Sequence, residues 1–292
     1  MNLQRLLPCT PHSVILFLGG SLPGSALLYL RQLSNFGMIS RLSGSVLHQH
    51  AVNVFSSFTP TCRSWFSNIR RLCLLYDLPH PLHILETPLS KQTYKNLVKT
   101  NVTNYWVNLL RNEAAPMSSL SFFKPQHMSL SRPHPLWTTA GSSPAKVSMA
   151  TVQAQMISGR YRSEALCSNW SNNKLGVCLI SASCTDETEN IPHILYGCPA
   201  LQPTRDRLKK FSMEYCDNLE LAVIKDITTS FLNATVTEFC QFLLDCSVLE
   251  PVIDAKELYG DEVITHLFNI TRTWVYTLHK ERMKRLGRWN PL

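Results

Sequence analysis

The sequence predicts a mainly α fold: helical segments around a small Cys/His knuckle, broken by an irregular Ser/Pro-rich linker. Three observations carry this prediction. Apolar residues recur at steps of three and four along most of the chain. Cys178, Cys184, His193 and Cys198 fall into two short clusters about ten residues apart. Residues 116–143, rich in Ser, Pro and His, follow neither the helical nor the strand period. With 292 residues the chain can bury one large core or two to three small ones, so folding as such requires neither a disulfide nor a metal.

The first apolar stretch, ILFLGGSLPGSALLYL (15–30), lies within an uncharged run from His12 to Leu30 that is about as long as a membrane-spanning helix. Its centre, GGSLPG, places glycines and a proline where a spanning helix needs continuity. A secretion signal also wants a longer apolar centre and a small-residue cleavage site. Gly19 and Gly24 have the spacing of a phosphate-binding loop, but Ser25 and Ala26 follow Gly24, so the lysine that would reach a phosphate is missing. The stretch therefore reads as a short buried segment, a Gly-Pro turn, and a helix capped near Ser25 that turns Leu27, Leu28, Leu30 and Leu33 inward.

Further elements follow in order. Thr59-Pro60 reads as an N-cap and first-turn proline for a helix whose Trp65, Phe66, Ile69, Leu72, Cys73 and Tyr76 share a face until DLPHP stops it. From Ser90 to Ala115, Tyr94, Leu97, Val98, Val102, Tyr105, Trp106, Leu109 and Leu110 form one apolar stripe, ended by Pro116. Residues 116–143 read as a linker or extended arm in which His127 and His134 have solvated or hydrogen-bonded roles. Ser143-Pro144 then starts a helix through Val147, Ala150, Ala154 and Ile157, which Gly159 can end. Helical periods return at Arg205–Tyr215 and Val236–Leu244, and again at Asp261–Leu286 with Ile264, Leu267, Phe268, Thr271, Trp274, Val275 and Leu278. The end of this last helix is basic: Arg272, Lys280, Arg282, Lys284, Arg285 and Arg288 are opposed locally by Glu281 alone. Such a strip suits either a solvated helix end or phosphates.

The 28 Lys and Arg exceed the 20 Asp and Glu by a net +8, in a chain only 16% charged. The balance leans toward polyanionic partners. Ten cysteines spread from Cys9 to Cys246 in a chain that needs no staples imply a reducing compartment, hence an intracellular location, nuclear or cytoplasmic. The sequons at Asn101, Asn169, Asn233 and Asn269 carry little weight without a secretion signal.

The most specific local signal is CLISASCTDETENIPHILYGCP, in which Cys178, Cys184, His193 and Cys198 are separated by five, eight and four residues. Thiolates and an imidazole suit a tetrahedral zinc ion, and two clusters joined by a turn can close its shell. With all four positions filled by protein, no place remains for an activated water, so Zn2+ here would be structural. The same spacing is open to four ordinary buried thiols and imidazoles, and Cys167 can replace one member. Elsewhere no nucleophile, base and orienting acid assemble. There is no G-x-S-x-G turn and no F/Y-x-D-D sequence, so neither a hydrolase elbow nor a two-metal polymerase site is built from those motifs.

Several ordered blocks together resemble a known family. FLGGSLPGSALLYLRQLSNFGMISRL, FFKPQHMSLSRPHPLWTTAG, SGRYRSEALCSNWS, the cysteine cluster ending HILYGCPAL, and LFNITRTWVYTLHKERMKRLGRW are similar to the C-terminal region of reverse-transcriptase polyproteins of non-LTR (LINE-type) retrotransposons. The likeness runs through nearly the whole chain. It implies that residues 1–58 correspond to the thumb-like end of the polymerase region, 59–115 to a helical connector, 116–143 to a linker, 144–216 to a zinc-binding unit with flanking helices, and 217–292 to C-terminal helices with a basic end. The family's polymerase aspartates and endonuclease lie N-terminal to this region, so the resemblance implies a non-catalytic fragment and no enzyme. It carries zinc ligation onto Cys178, Cys184, His193 and Cys198, although related tails have a closer first cysteine pair. It further implies a grip on template RNA or target DNA, with an intact retrotransposon polymerase as a possible partner and neither a membrane nor a small-molecule substrate. Arg160, Arg162, Arg205, Arg207, Lys209 and Lys210 would neutralise phosphates, and Tyr161 and Trp170 would stack on bases. The alternative is an inactive retrotransposon remnant with no biochemical activity of its own.

Overall fold

The structure is a computed structural model that describes residues 6, 9–57, 64–169, 175–184 and 187–289. Among these residues the fold is all-helical, and the one isolated antiparallel bridge joins Val177 to Thr188. The chain divides into two compact units, one formed by 1–20 with 114–292 and the other by 21–113.

Helix α1 (His12–Gly19) opens the first unit and buries Val14, Leu16, Phe17 and Leu18. The second unit holds α2 (Gly24–Ser40), α3 (Val46–Ser56), α4 (Trp65–Leu75), α5 (Pro81–Glu86) and α6 (Lys91–Ala114). The Gly-Pro turn and the helix after it form, but α2 starts at Gly24 behind Pro23 with no side-chain cap, so the cap expected near Ser25 is not made. Its buried face is Ala26, Leu33, Phe36, Gly37, Ile39 and Ser40. Leu27 and Leu28, expected inside, are 56% and 63% exposed. Leu33 sets the inward register through Phe36 and Ile39, and that register points Leu27 and Leu28 away from the core.

Local signals fix the neighbouring helices. The Ser45 and Ser64 hydroxyls accept the amides of His48 and Ser67 and cap α3 and α4, relieving orphan donors of the first turn. The cap expected at Thr59-Pro60 lies outside the described residues. His80 caps α5 through its ring, which accepts the Leu82 amide, with Pro81 at the first helical position. The expected stripe of α6 supplies Tyr94, Val98 and Val102 to a core shared with Leu33, Phe36, Phe55, Ile69, Leu72 and Tyr76. At Gly37 the Tyr94 ring lies where a Cβ would stand, so any larger residue there must displace that ring.

The first unit continues with α7 (Pro135–Thr138), α8 (Pro144–Ile157), α9 (Glu164–Ser168), α10 (Gln202–Asp217), α11 (Ala222–Leu232), α12 (Val236–Leu244), α13 (Glu250–Tyr259) and α14 (Asp261–Arg285). The Ser143 hydroxyl caps α8 as expected, and α14 is the spine. It packs on α8, α10, α11, α12 and α13, so it buries Val263 and Ile270 as well as the expected Leu267, Phe268, Trp274 and Leu278. Inside, the Trp274 indole donates to Ser212 Oγ at 2.7 Å, while Nε and Nη1 of the buried Arg272 have no hydrogen-bond partner among the described residues. The Gln153 amide of α8 donates to the Leu243 and Leu244 carbonyls.

Residues 116–143 are irregular, with short helical turns, but they are not a spacer. Leu120, Phe123, Met128, Leu130, Leu136 and Ala140 are buried. His134, 5% exposed, accepts the Leu136 amide on Nδ1 and so presents Nε2–H to Asp245 Oδ2 at 3.2 Å. Burial opposes the charge of Asp245, yet His134 and the Ser247 hydroxyl and amide outweigh it and hold the carboxyl below its usual range. Prolines and serines hid this packing because a buried segment without regular structure leaves no period to read. His127 is exposed.

Candidate metal centre

The knuckle is built by backbone pairing on one side and a tight helical turn on the other. Cys178 donates its amide to the Glu187 carbonyl at 2.9 Å, and Glu189 donates to the Gly176 carbonyl at 3.0 Å. These bonds flank the Val177–Thr188 bridge and fold 178–184 back on 187–189. Gly176 has φ +73°, and a Cβ there would stand 2.8 Å from Ser168 Oγ, so the turn into Cys178 requires glycine. A short 3-10 turn, Ala182–Cys184, carries the second thiol.

Asn190 starts the other half. Its side-chain oxygen accepts the His193 amide at 2.9 Å, and Pro192 precedes a π turn over His193–Gly197. That wide turn closes with the Cys198 amide on the His193 carbonyl at 2.7 Å, bringing His193 and Cys198 onto one side. Such i to i+5 turns are uncommon and recur at functional sites.

The four ligand atoms of Cys178, Cys184, His193 and Cys198 all lie within 4.8 Å of one another, and all four residues are buried. Cys178 Sγ and Cys184 Sγ stand 3.9 and 4.0 Å from Cys198 Sγ. A tetrahedral ion with metal–sulfur bonds of about 2.3 Å sets its sulfurs about 3.8 Å apart, so the spacing fits a chelate shell. The cysteines are free thiols. Burial pushes all three cluster thiols above their ordinary range, and a cation is what would favour their ionised form here.

His193 supplies the second test of fit. Its Nδ1 meets Glu187 Oε2 at 2.8 Å, while Nε2 is buried without a hydrogen-bond partner. A carboxylate on one ring nitrogen fixes the tautomer that offers the other as a lone pair, the arrangement typical of metal-bound histidine. The cluster thus joins the four residues singled out by spacing. Cys167, the alternative ligand, is only partly buried and lies outside the set.

The basic residues divide. Arg162, Arg207, Lys209 and Lys210 are exposed. Arg207 Nη2 reaches Thr204 Oγ1 at 3.3 Å, and Lys210 Nζ lies 3.7 Å from Glu214, contacts weak enough for solvated side chains to exchange. Arg160 is half-buried. Arg205 is 4% exposed and donates from Nη2 to the Cys198 carbonyl at 2.6 Å, so it is withdrawn from any phosphate-facing surface. Burial lowers its pKa, and the neighbouring Cys198 opposes that shift. Tyr161 is 4% exposed. Its hydroxyl bonds His279 Nδ1 at 2.8 Å and Arg282 lies over its ring at 5.4 Å, so it has no free face for a base. Trp170 lies outside the described residues.

The basic end of α14 divides likewise: Lys280, Lys284 and Arg285 are exposed, as a solvated helix end leaves them, whereas other members are withdrawn into the protein. Arg272 and Arg282 are each 1% exposed. Arg272 donates to the Leu136 carbonyl and Thr139 hydroxyl. Arg282 makes a two-pronged pair with Glu189, at 2.8 and 2.6 Å, and Arg288 meets Glu164 at 2.6 Å. Glu164 also donates its amide to Glu189. Glu281, the local counter-charge, bonds Arg285 instead. Sequence reasoning missed this ion network because its partners are some ninety or more positions apart. The available signal was the acidic pair Glu187 and Glu189 inside an otherwise ligand-like stretch.

Among the described residues no single helix is long and apolar enough to cross a membrane. α1 and α2 reach that length and apolarity only as a broken pair. No family model, curated protein or solved structure matches the chain.

Proposed function

We propose that the chain is a non-catalytic, zinc-containing nucleic-acid-binding segment of the type that ends non-LTR retrotransposon reverse transcriptases. The observation that carries the metal half is the convergence of three sulfurs and one imidazole within 4.8 Å. Zinc is the reading because a tetrahedral set of three thiolates and one ring nitrogen fits it and leaves no open position for chemistry. The metal residues hold the knuckle, and Cys198 leads through a short 3-10 turn, Pro199–Leu201, into α10, whose exposed residues include Arg207, Lys209 and Lys210. With Arg162 these side chains form the proposed contact with an RNA or DNA backbone. The nucleic-acid half rests on that exposed charge and on the sequence resemblance.

The test is a salt titration of binding to a duplex and to a single strand. Four phosphate contacts give a slope of log K against log salt of about −3 to −4. Replacing Arg207, Lys209 and Lys210 with Gln should leave a slope of about −1, with the helical circular dichroism unchanged. A flat wild-type response, or a triple variant that binds like wild type, contradicts the proposed interface.

A further inference from the structure

Arg205 lies in the first turn of α10, seven residues beyond Cys198, and is 4% exposed. Its hydrogen bonds go to neutral oxygens: Nη2 to the Cys198 carbonyl at 2.6 Å, and Nε and Nη2 to Gln202 Oε1 at 3.1 and 2.8 Å. Nη1 is buried with no hydrogen-bond partner. A guanidinium bonded in the interior to neutral groups alone is unfavourable and is normally paired with an anion. Asp206 acts on Arg205 through space without a bond to it, and Arg272, bonded to the Leu136 carbonyl and the Thr139 hydroxyl, is the other such case in this unit. The other deeply buried arginine near this knuckle, Arg282, has its carboxylate in Glu189. Among the described residues Arg205 makes no carboxylate bond of that kind.

Chemistry next door supplies the missing charge. A divalent ion held by three thiolates and a neutral imidazole carries one net negative charge. We propose that Arg205 is the counter-cation of the metal centre, a positioning residue whose guanidinium, anchored on the Cys198 carbonyl, neutralises the metal–thiolate set. The inference rests on the metal reading above and assigns to that centre a residue whose local sequence suits a phosphate contact equally well. Arg205 and Glu187 then have opposite duties. Glu187 holds the imidazole from its far nitrogen, and Arg205 balances the sulfurs.

The test uses the full chain, reduced and metal-free, titrated with Co2+ against a competing chelator while the visible and near-ultraviolet bands are recorded. Arg205→Gln keeps a donor for the Cys198 carbonyl but removes the charge, and Arg205→Lys keeps the charge. The expected result is a loss of about 10- to 100-fold in Co2+ affinity for R205Q, with most of it recovered in R205K. A cation near thiolate stabilises the sulfur electrons, so the thiolate-to-cobalt band should move to longer wavelength in R205Q and return in R205K. Wild-type affinity and an unshifted band in R205Q overturn the proposal. Should R205Q lose its helical circular dichroism, R205K decides. Near-wild-type affinity and band position sustain the charge role, and a loss of about tenfold or more overturns it. A wild-type chain that gives no tetrahedral Co2+ spectrum removes the metal centre itself, a failure separate from that of Arg205 alone.

Discussion

At the scale of single residues, the informative positions are buried charges. Arg282 and Glu189 are 1% and 0% exposed and exchange two short bonds, so neither tolerates loss of the other. Glu189→Gln should cost about 3 kcal/mol in urea unfolding because it removes the two-pronged partner and leaves the desolvated guanidinium only the more distant Glu164, 3.9 Å away. A Glu189→Gln chain within about 1 kcal/mol of wild type would show that the pair contributes little. His279 offers a pH signature. Burial, helped by the nearby Arg282 charge, depresses its pKa to about 4, whereas an unfolded histidine titrates near about 6.5. Between those values the unfolded chain binds more protons, so stability from this group is full above about pH 6.5 and declines as pH falls toward about 4. The expected decline is about 2 kcal/mol after allowing for partial exposure, and His279→Phe should flatten it. An equal decline in both chains would place the pH sensitivity elsewhere.

At the scale of elements, periodicity located α4, α6, α8, α10, α12 and α14, because apolar residues recur along each at steps of about 3.6 residues, although α8 is buried on every side from Ala150 to Ala154. It failed in two instructive ways. Along α2, several leucines offered competing faces. Phe36, Gly37 and Ile39 decide between them through contacts with other helices, which no local window contains. The α11 segment repeats Ile224, Ile227 and Phe231 at steps of three and four over a helix longer than α12, so its period is readable although the expected helices omit it. By contrast, α13 buries only Val252 and Ala255 and shows too short a face to read. The metal ligands were legible because their spacing is local, whereas Glu187 as their outer partner became visible only once the knuckle closed. Gly37 tests the packing of α2 against α6. Gly37→Ala places a methyl group in the Tyr94 ring and should lower stability by about 1–3 kcal/mol despite alanine's better helix propensity. A stabilised Gly37→Ala chain, read by thermal unfolding, would mean that the ring moves aside without cost.

At the scale of the molecule, a net charge of +8 overstates the cation available to a polyanion. Arg205, Arg272 and Arg282 are buried, and Arg288 is tied to Glu164. What remains near the knuckle is a smaller set led by Arg162, Arg207, Lys209 and Lys210. The knuckle also organises the unit around it, since its Glu189 receives the end of α14 while Cys198 receives the start of α10. A metal at this point would therefore fix two helices through one loop, and its removal should loosen both. The most direct measurement is metal content by mass spectrometry on protein purified without chelator, for wild type and for a Cys184→Ser, His193→Ala variant. One zinc per wild-type chain, lost in the variant, is the predicted result. A wild-type chain free of zinc, or a variant that keeps its full complement, would contradict the account.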